Sequence, residues 1–167
     1  DRLLMDVLEV NHISREAFAH LPKDALERLT APDCQYQQFD VIIVDSTDPV
    51  GPATELFESA FYAQAFQRLS DNGIIVTQSE SLHFHADFVR TVQERMAKNF
   101  PITDCYTQAI ATYAGNWWTF SIASRSIDVR NAARTPVDGL RYYDADVHRS
   151  AFLPKRVLEQ VRAGEFP

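Results

Sequence analysis

Asp45 and Asp48 stand three residues apart in Asp45-Ser46-Thr47-Asp48-Pro49-Val50-Gly51-Pro52. The prolines and the glycine restrict that turn, so the two carboxylates can be held at a fixed separation. A rigid acidic turn suits an ammonium group, because one carboxylate accepts a proton while the other retains the remaining cation. Taken alone, Asp45 fits a base and a plain turn former or helix cap equally well. Gln78-Ser79-Glu80-Ser81 closes a second apolar run, and Thr112-Tyr113-Ala114-Gly115 closes a third. If these runs are strands of one open α/β sheet, their carboxyl ends share the rim where such sheets bind ligands. Gln78 is then a site candidate, and Glu80 stays open between crevice and solvated loop. Tyr113 either walls the crevice and donates a hydrogen bond or is a half-buried hairpin tyrosine.

Other chemistries have less support. Ser46 and Ser79 lack the G-x-S-x-G setting of a hydrolase nucleophile. His83 and His85 are two apart with no Cys, Asp or Glu cluster to complete a metal site. Trp117 and Trp118 are adjacent, so only one can face a core. Cys34 and Cys105 form neither a CxxC pair nor a disulfide framework, which points to a reducing, cytoplasmic setting.

The elements that must position these residues follow from periodicity. FDVIIVD, 39–45, is a continuous apolar run that reads as a strand buried on both faces. Residues 54–70 keep helical spacing and are closed by Asp71-Asn72-Gly73. IIVTQ, 74–78, is a second strand, and 85–99 form an amphipathic helix stopped before Pro101. Residues 103–113 and 117–124 read as strands joined at Ala114-Gly115-Asn116, adding an antiparallel edge. A short helix runs from about 154 to 163, and a looser helical pattern over 13–29 is interrupted by Pro22. The alternation predicts an α/β layer fold in one domain.

Composition narrows the partners. The chain has 167 residues and a net charge of −7, which disfavours nonspecific nucleic-acid binding and suits small cations. No run approaches the ~20 apolar residues of a membrane span, and no export signal is visible at the start. All five glycines lie at or after position 51, with no GxG spacing. A glycine-rich loop of the kind that lets backbone approach a nucleotide is absent from this sequence.

FDVIIVDSTDPVGPATELFESAFY, then GIIVTQSES with His83 nearby, TYAGNWWTFSIAS and LRYYDADVHRSAF occur in the order seen in the spermidine synthases. The chain resembles these polyamine aminopropyltransferases over about 39–153, while 1–38 match poorly. The resemblance implies a Rossmann-like, methyltransferase-type sheet, mostly parallel, with an antiparallel C-terminal hairpin and the N-terminal part of the fold missing. It implies transfer of an aminopropyl group from decarboxylated S-adenosylmethionine to putrescine, with no tightly bound cofactor or metal. Asp45 would be the base, Asp48 would hold an acceptor amine, and Gln78 and Tyr113 would orient it. Asp24, Ala25 and Pro52 would lie beside the adenine. The full-length form would be a homo-oligomer, and this chain, carrying mainly the acceptor side, would have little or no activity alone. A methyltransferase-like enzyme and an inactive assembly partner are the alternatives.

Overall fold

A computed structural model describes residues 38–46, 49, 51–113, 117–131 and 138–167. The helical pattern at 13–29 and the predicted connection 114–116 lie outside the described residues. Strand β1 is Phe39–Val44. A 3-10 helix, Gly51–Phe57, leads into α1, Ser59–Arg68. Strand β2 is Leu69–Ser81 and runs directly into α2, Leu82–Ala97. Strands β3, Ile102–Gln108, and β4, Trp118–Ser124, follow. Helices α3, Ala145–Ala151, and α4, Lys155–Ala163, complete the described elements. None of the described helices is long and apolar enough to cross a membrane.

The sheet order is β1-β2-β4-β3. β1 pairs parallel to β2, while β4 is antiparallel to both β2 and β3. β1, β2 and β3 therefore run in one direction, and the α/β architecture is Rossmann-like with one reversed strand. The hairpin does not simply add an antiparallel edge: β4 inserts beside β2 and leaves β3 outermost. Ser81 and Gln108 both pair with Trp118. The carboxyl ends of β2 and β3 thus meet the start of β4 at one rim.

The core explains why these segments pair. Phe61, Tyr62 and Ala65 recur at helical spacing and are buried on α1. They join Ile42, Val44, Ile75, Val92, Met96 and Ala123 in one apolar cluster. On the opposite face, Ile122, Val129 and Phe152 gather Ile74, Val76 and Tyr106. Val41 and Ile43 project on that same face, in register with Ile74 and Val76, and are 50% and 69% exposed. β1 is therefore buried on one face rather than two. The described cover on the second face clusters around β3 and β4, and periodicity in a short apolar run carries no sign of where such cover ends.

Two boundaries differ from the sequence reading. Asp71-Asn72-Gly73 does not form a free turn after α1 but lies within β2, where Phe39 pairs with Leu69 and Val41 already pairs with Ile74. This irregularity is held by the residues that follow the neighbouring strand β4. The Arg125 guanidinium donates to the carbonyls of Phe66 and Leu69 at 3.1 and 3.0 Å, and the Ser126 hydroxyl donates to that of Asp71 at 2.8 Å. Gly73 is required by close approach, since a Cβ there would lie 2.9 Å from Leu69 Cβ, from Leu69 Cδ2 and from the Ser70 carbonyl oxygen. The third strand stops at Gln108, and Ala111–Tyr113 form a 3-10 turn instead of its end.

The C-terminal segment is fastened by charge. Arg130 grips Asp104 with Nε to Oδ2 at 2.5 Å and Nη2 to Oδ1 at 2.7 Å, and Nη2 also donates to the Leu153 carbonyl at 2.9 Å. Such bidentate pairs are stronger and more directional than single ion contacts. Burial pushes the Cys105 thiol and the Tyr106 phenol up to about 12, and raises Tyr62 as well. All three stay neutral in the fold, whereas exposed Cys and Tyr titrate near ~8.5 and ~10. Their contribution to stability is complete below those values and is lost as pH climbs towards the folded ones. The thermal midpoint, followed by circular dichroism, should accordingly fall between about pH 9 and pH 11.

Candidate functional site

β1 delivers Asp45 to the rim as the first residue after the strand, with its side chain exposed. β2 delivers Gln78, which is buried. The Gln78 amide connects the two strands: Nε2 donates to the Ser46 carbonyl at 3.2 Å. It also reaches the Glu80 carboxylate at 3.5 Å, and the Glu80 N–H donates back to Gln78 Oε1 at 3.1 Å. One planar amide therefore ties the residue after Asp45 to Glu80. A buried amide with donors and acceptor engaged is costly to displace, so this geometry is fixed.

Glu80 is the residue that the sequence alone left undecided. It is buried, and its φ of +69° is the only positive value at a non-glycine among the described residues. It falls where the β2–β4 register shifts, between Gln78 and Ser81. Irregularities of this kind re-aim side chains and occur often beside functional sites. The Thr119 hydroxyl lies 3.0 Å from the Ser79 carbonyl and 2.8 Å from that of Glu80. Ser79 Oγ in turn contacts the hydroxyls of Thr119 and Ser121 at 3.1 and 3.0 Å. This buried hydroxyl ladder holds the distorted backbone from below. A left-handed conformation costs an ordinary residue roughly 1–2 kcal/mol, so the surroundings must over-determine it.

The other candidates distribute as follows. Tyr113 lies in the 3-10 turn after β3, 44% exposed, with its ring stacked on Trp118 at a centroid distance of 4.0 Å and 9° between planes. Of the tryptophan pair, Trp118 is buried and Trp117 exposed. The Trp117 carbonyl accepts from the Leu82 N–H at 2.8 Å, which fastens the start of α2 to the same rim. His83 packs on Trp117 at 5.7 Å, while His85 turns towards Glu80 at 3.7 Å. The two histidines have different partners. Asp24, Ala25 and Asp48 lie outside the described residues, as does the side chain of Pro52.

The structure thus brings Asp45, Gln78 and Glu80 to adjoining strand ends, with Tyr113 on the same rim. What the sequence reading did not separate was Glu80 from a solvated loop residue. The available signal was its place two residues after Gln78, because residues two apart in a strand share a face.

An α/β sheet with polar side chains gathered at its carboxyl rim is the layout of nucleotide- and S-adenosyl-handling proteins in general. The comparisons narrow that class. The Spermine/spermidine synthase domain matches residues 12–132, and the chain belongs to that family. It is 48% identical over 129 residues to polyamine aminopropyltransferase 1 of Aquifex aeolicus (strain VF5), covering 77% of this chain and 46% of that protein. It is 40% identical over 129 residues to the polyamine aminopropyltransferase of Bacillus subtilis (strain 168), covering 75% and 46%. Among solved structures, a spermidine synthase in complex with the transition-state analogue AdoDATO superposes with a TM-score of 0.71 at 27% identity. That match covers 96% of this chain and 56% of the other. The spermidine synthase of Thermotoga maritima gives a TM-score of 0.61 at 28% identity, covering 77% and 45%. The chain spans about half the length of the curated relatives it matches.

Because Glu80 holds a conformation that glycine adopts freely, Glu80→Gly should unfold at a temperature no lower than the wild-type chain in a calorimetric scan. A fall of several degrees would instead assign the carboxylate to the stability of the fold.

Proposed function

We propose that the chain carries the acceptor side of a polyamine aminopropyltransferase, moving an aminopropyl group from decarboxylated S-adenosylmethionine to putrescine. The observation that carries this reading is the Gln78 amide that spans the Ser46 carbonyl and the Glu80 carboxylate. It supports two acidic groups at a fixed spacing on the rim, which is what a diamine with two ammonium ends requires. The family membership and the relatives' names support the same chemistry.

An alkylammonium titrates near ~10.4 and is no nucleophile until deprotonated. On this reading Asp45 takes the proton from the attacking amine as the new C–N bond forms. The carbon–sulfur bond of the sulfonium breaks, and its electron pair stays on sulfur as the neutral thioether of methylthioadenosine. Glu80 and Asp48 receive the ammonium groups, and Gln78 and Tyr113 set the orientation of the chain between them. Asp24, Ala25 and Pro52 belong to the adenine side. The sulfonium is already a good leaving group, so positioning for in-line displacement supplies much of the rate.

The net charge of −7 supports a cationic small molecule over nucleic acid. A cytoplasmic setting and a homo-oligomeric full-length form complete the proposal. The chain by itself holds little of the nucleoside side, and its own turnover is low or absent.

Two measurements test this. Putrescine or methylthioadenosine at about a hundredfold excess over its Kd should stabilise the chain by about 2.7 kcal/mol, whereas preferential stabilisation by S-adenosylhomocysteine would indicate a methyltransferase. Any aminopropyl transfer that the chain shows should be lost in Asp45→Asn; transfer that survives the change removes Asp45 as the base. Turnover by the chain comparable with that of a full-length synthase would refute the acceptor-side limit.

A further inference from the structure

Trp118 is held on both sides. It is the first residue of β4, it is buried, and its backbone stands opposite Ser81 of β2 and Gln108 of β3. The carbonyl just before it, that of Trp117, accepts from the Leu82 N–H at 2.8 Å. Tyr113 has the opposite character. Its 3-10 turn, Ala111–Tyr113, buries no residue. The Tyr113 N–H donates to the Ile110 carbonyl at 3.0 Å. Beyond that backbone bond, the described residues give Tyr113 one ring contact, the Trp118 indole at a centroid distance of 4.0 Å and 9° between planes. The turn has no buried anchor of its own, so the stack sets the ring.

Register places this pair on the same face as the Gln78 amide. Gln78 of β2 and Tyr106 of β3 both stand opposite Phe120. Trp118 is two residues from Phe120 on one strand, and residues two apart share a face. Gln78, Phe120 and Trp118 therefore lie on one face of the sheet, with Trp118 at the rim. The indole covers one side of the phenol ring, yet Tyr113 remains 44% exposed. Among the described residues its hydroxyl has no hydrogen-bond partner. An aromatic face attracts a cation, and a hydroxyl oxygen accepts from an ammonium N–H. Both features belong to one ring whose plane is set by Trp118.

We propose that Trp118 is a positioning residue of the acceptor site: its indole is the platform that fixes the Tyr113 ring, and that ring meets an alkylammonium end of the acceptor. This rests on the reading of Tyr113 as a residue that orients the acceptor, and it deepens that reading. Trp118 acts through Tyr113, which lies over it, and does not itself touch the acceptor. A ring already held in place spares the acceptor the cost of ordering it on binding. The task calls for a flat partner. An aliphatic side chain fills part of the same volume but offers no parallel surface for a stacked ring.

The test uses the chain itself, with putrescine affinity read by calorimetry and folding checked by circular dichroism. Trp118→Leu should weaken binding about tenfold, while Trp118→Phe, which keeps a ring face, should stay within about threefold of the wild type. Tyr113→Ala should weaken binding at least as much as Trp118→Leu. Adding Trp118→Leu to Tyr113→Ala should then change affinity by less than about twofold, because the platform has nothing left to hold. A merely structural tryptophan would cost the same factor in both backgrounds. That result, or wild-type affinity in Trp118→Leu, overturns the proposal and leaves the acceptor reading standing. Should Trp118→Leu fail to fold, Trp118→Met, equally without a ring, takes its place in the cycle. In the wild-type chain, nuclear Overhauser contacts between the Tyr113 ring and the Trp118 indole should persist when putrescine binds, and their loss on binding also overturns the proposal. Wild-type affinity in Tyr113→Ala overturns the reading of Tyr113 and the role of Trp118 with it. No putrescine binding by the wild-type chain, with those ring contacts present, overturns the acceptor reading as a whole.

Discussion

The arrangement of the rim depends on one carboxamide. Gln78 is buried, and its side chain engages the backbone beyond β1 and the carboxylate two residues along its own strand. A hydrogen-bonded amide in such a place resists exchange with water, because an unmade bond there would cost about 1–3 kcal/mol. The constraint passes outward from it. The end of β1 is held against β2, which sets where Asp45 leaves the sheet. The irregular turn at Glu80 is held from the other side by Thr119 and Ser79. A leucine in place of Gln78 would fill similar volume and leave the Ser46 carbonyl and the Glu80 N–H without this partner.

Sheet topology supplies the second condition. A parallel β1–β2 pair places two carboxyl ends side by side, and the reversed β4 lets β3 end at that rim as well. Polar groups from sequence positions as distant as 45 and 113 thereby share one edge without any long connection inside the core. The apolar helices α1 and α2 cover one face, and the Asp104–Arg130 pair draws the C-terminal segment over part of the other.

Much of this was legible in the residues. The strand core of β1, the amphipathic spacing of α1, the regular part of α2 and the short α4 all follow from periodicity, because each buries a stripe that the pattern displays. Asp45 marked the rim because it directly follows the apolar run of β1, although a turn former or helix cap would suit that position equally well. Three features were not legible, each for a physical reason. The place of β4 between β2 and β3 is a long-range pairing choice, which no local pattern encodes. The Asp71-Asn72-Gly73 segment carries ordinary turn chemistry, and only the contacts from Arg125 and Ser126 turn it into an irregularity within a strand. The aim of Glu80 depends on a left-handed residue where propensity would place glycine or asparagine.

The stacking of Tyr113 on Trp118 has an optical consequence. Both indoles of the chain belong to this rim: one is enclosed beneath a phenol ring, and the other is open to solvent beside His83. The intrinsic tryptophan emission therefore originates wholly from the edge of the sheet where small molecules would arrive. Quenching by an aqueous solute would sample Trp117, while excitation of tyrosine would reach Trp118 by energy transfer from its stacked neighbour. The protein carries a built-in spectroscopic label at that edge and needs no attached dye.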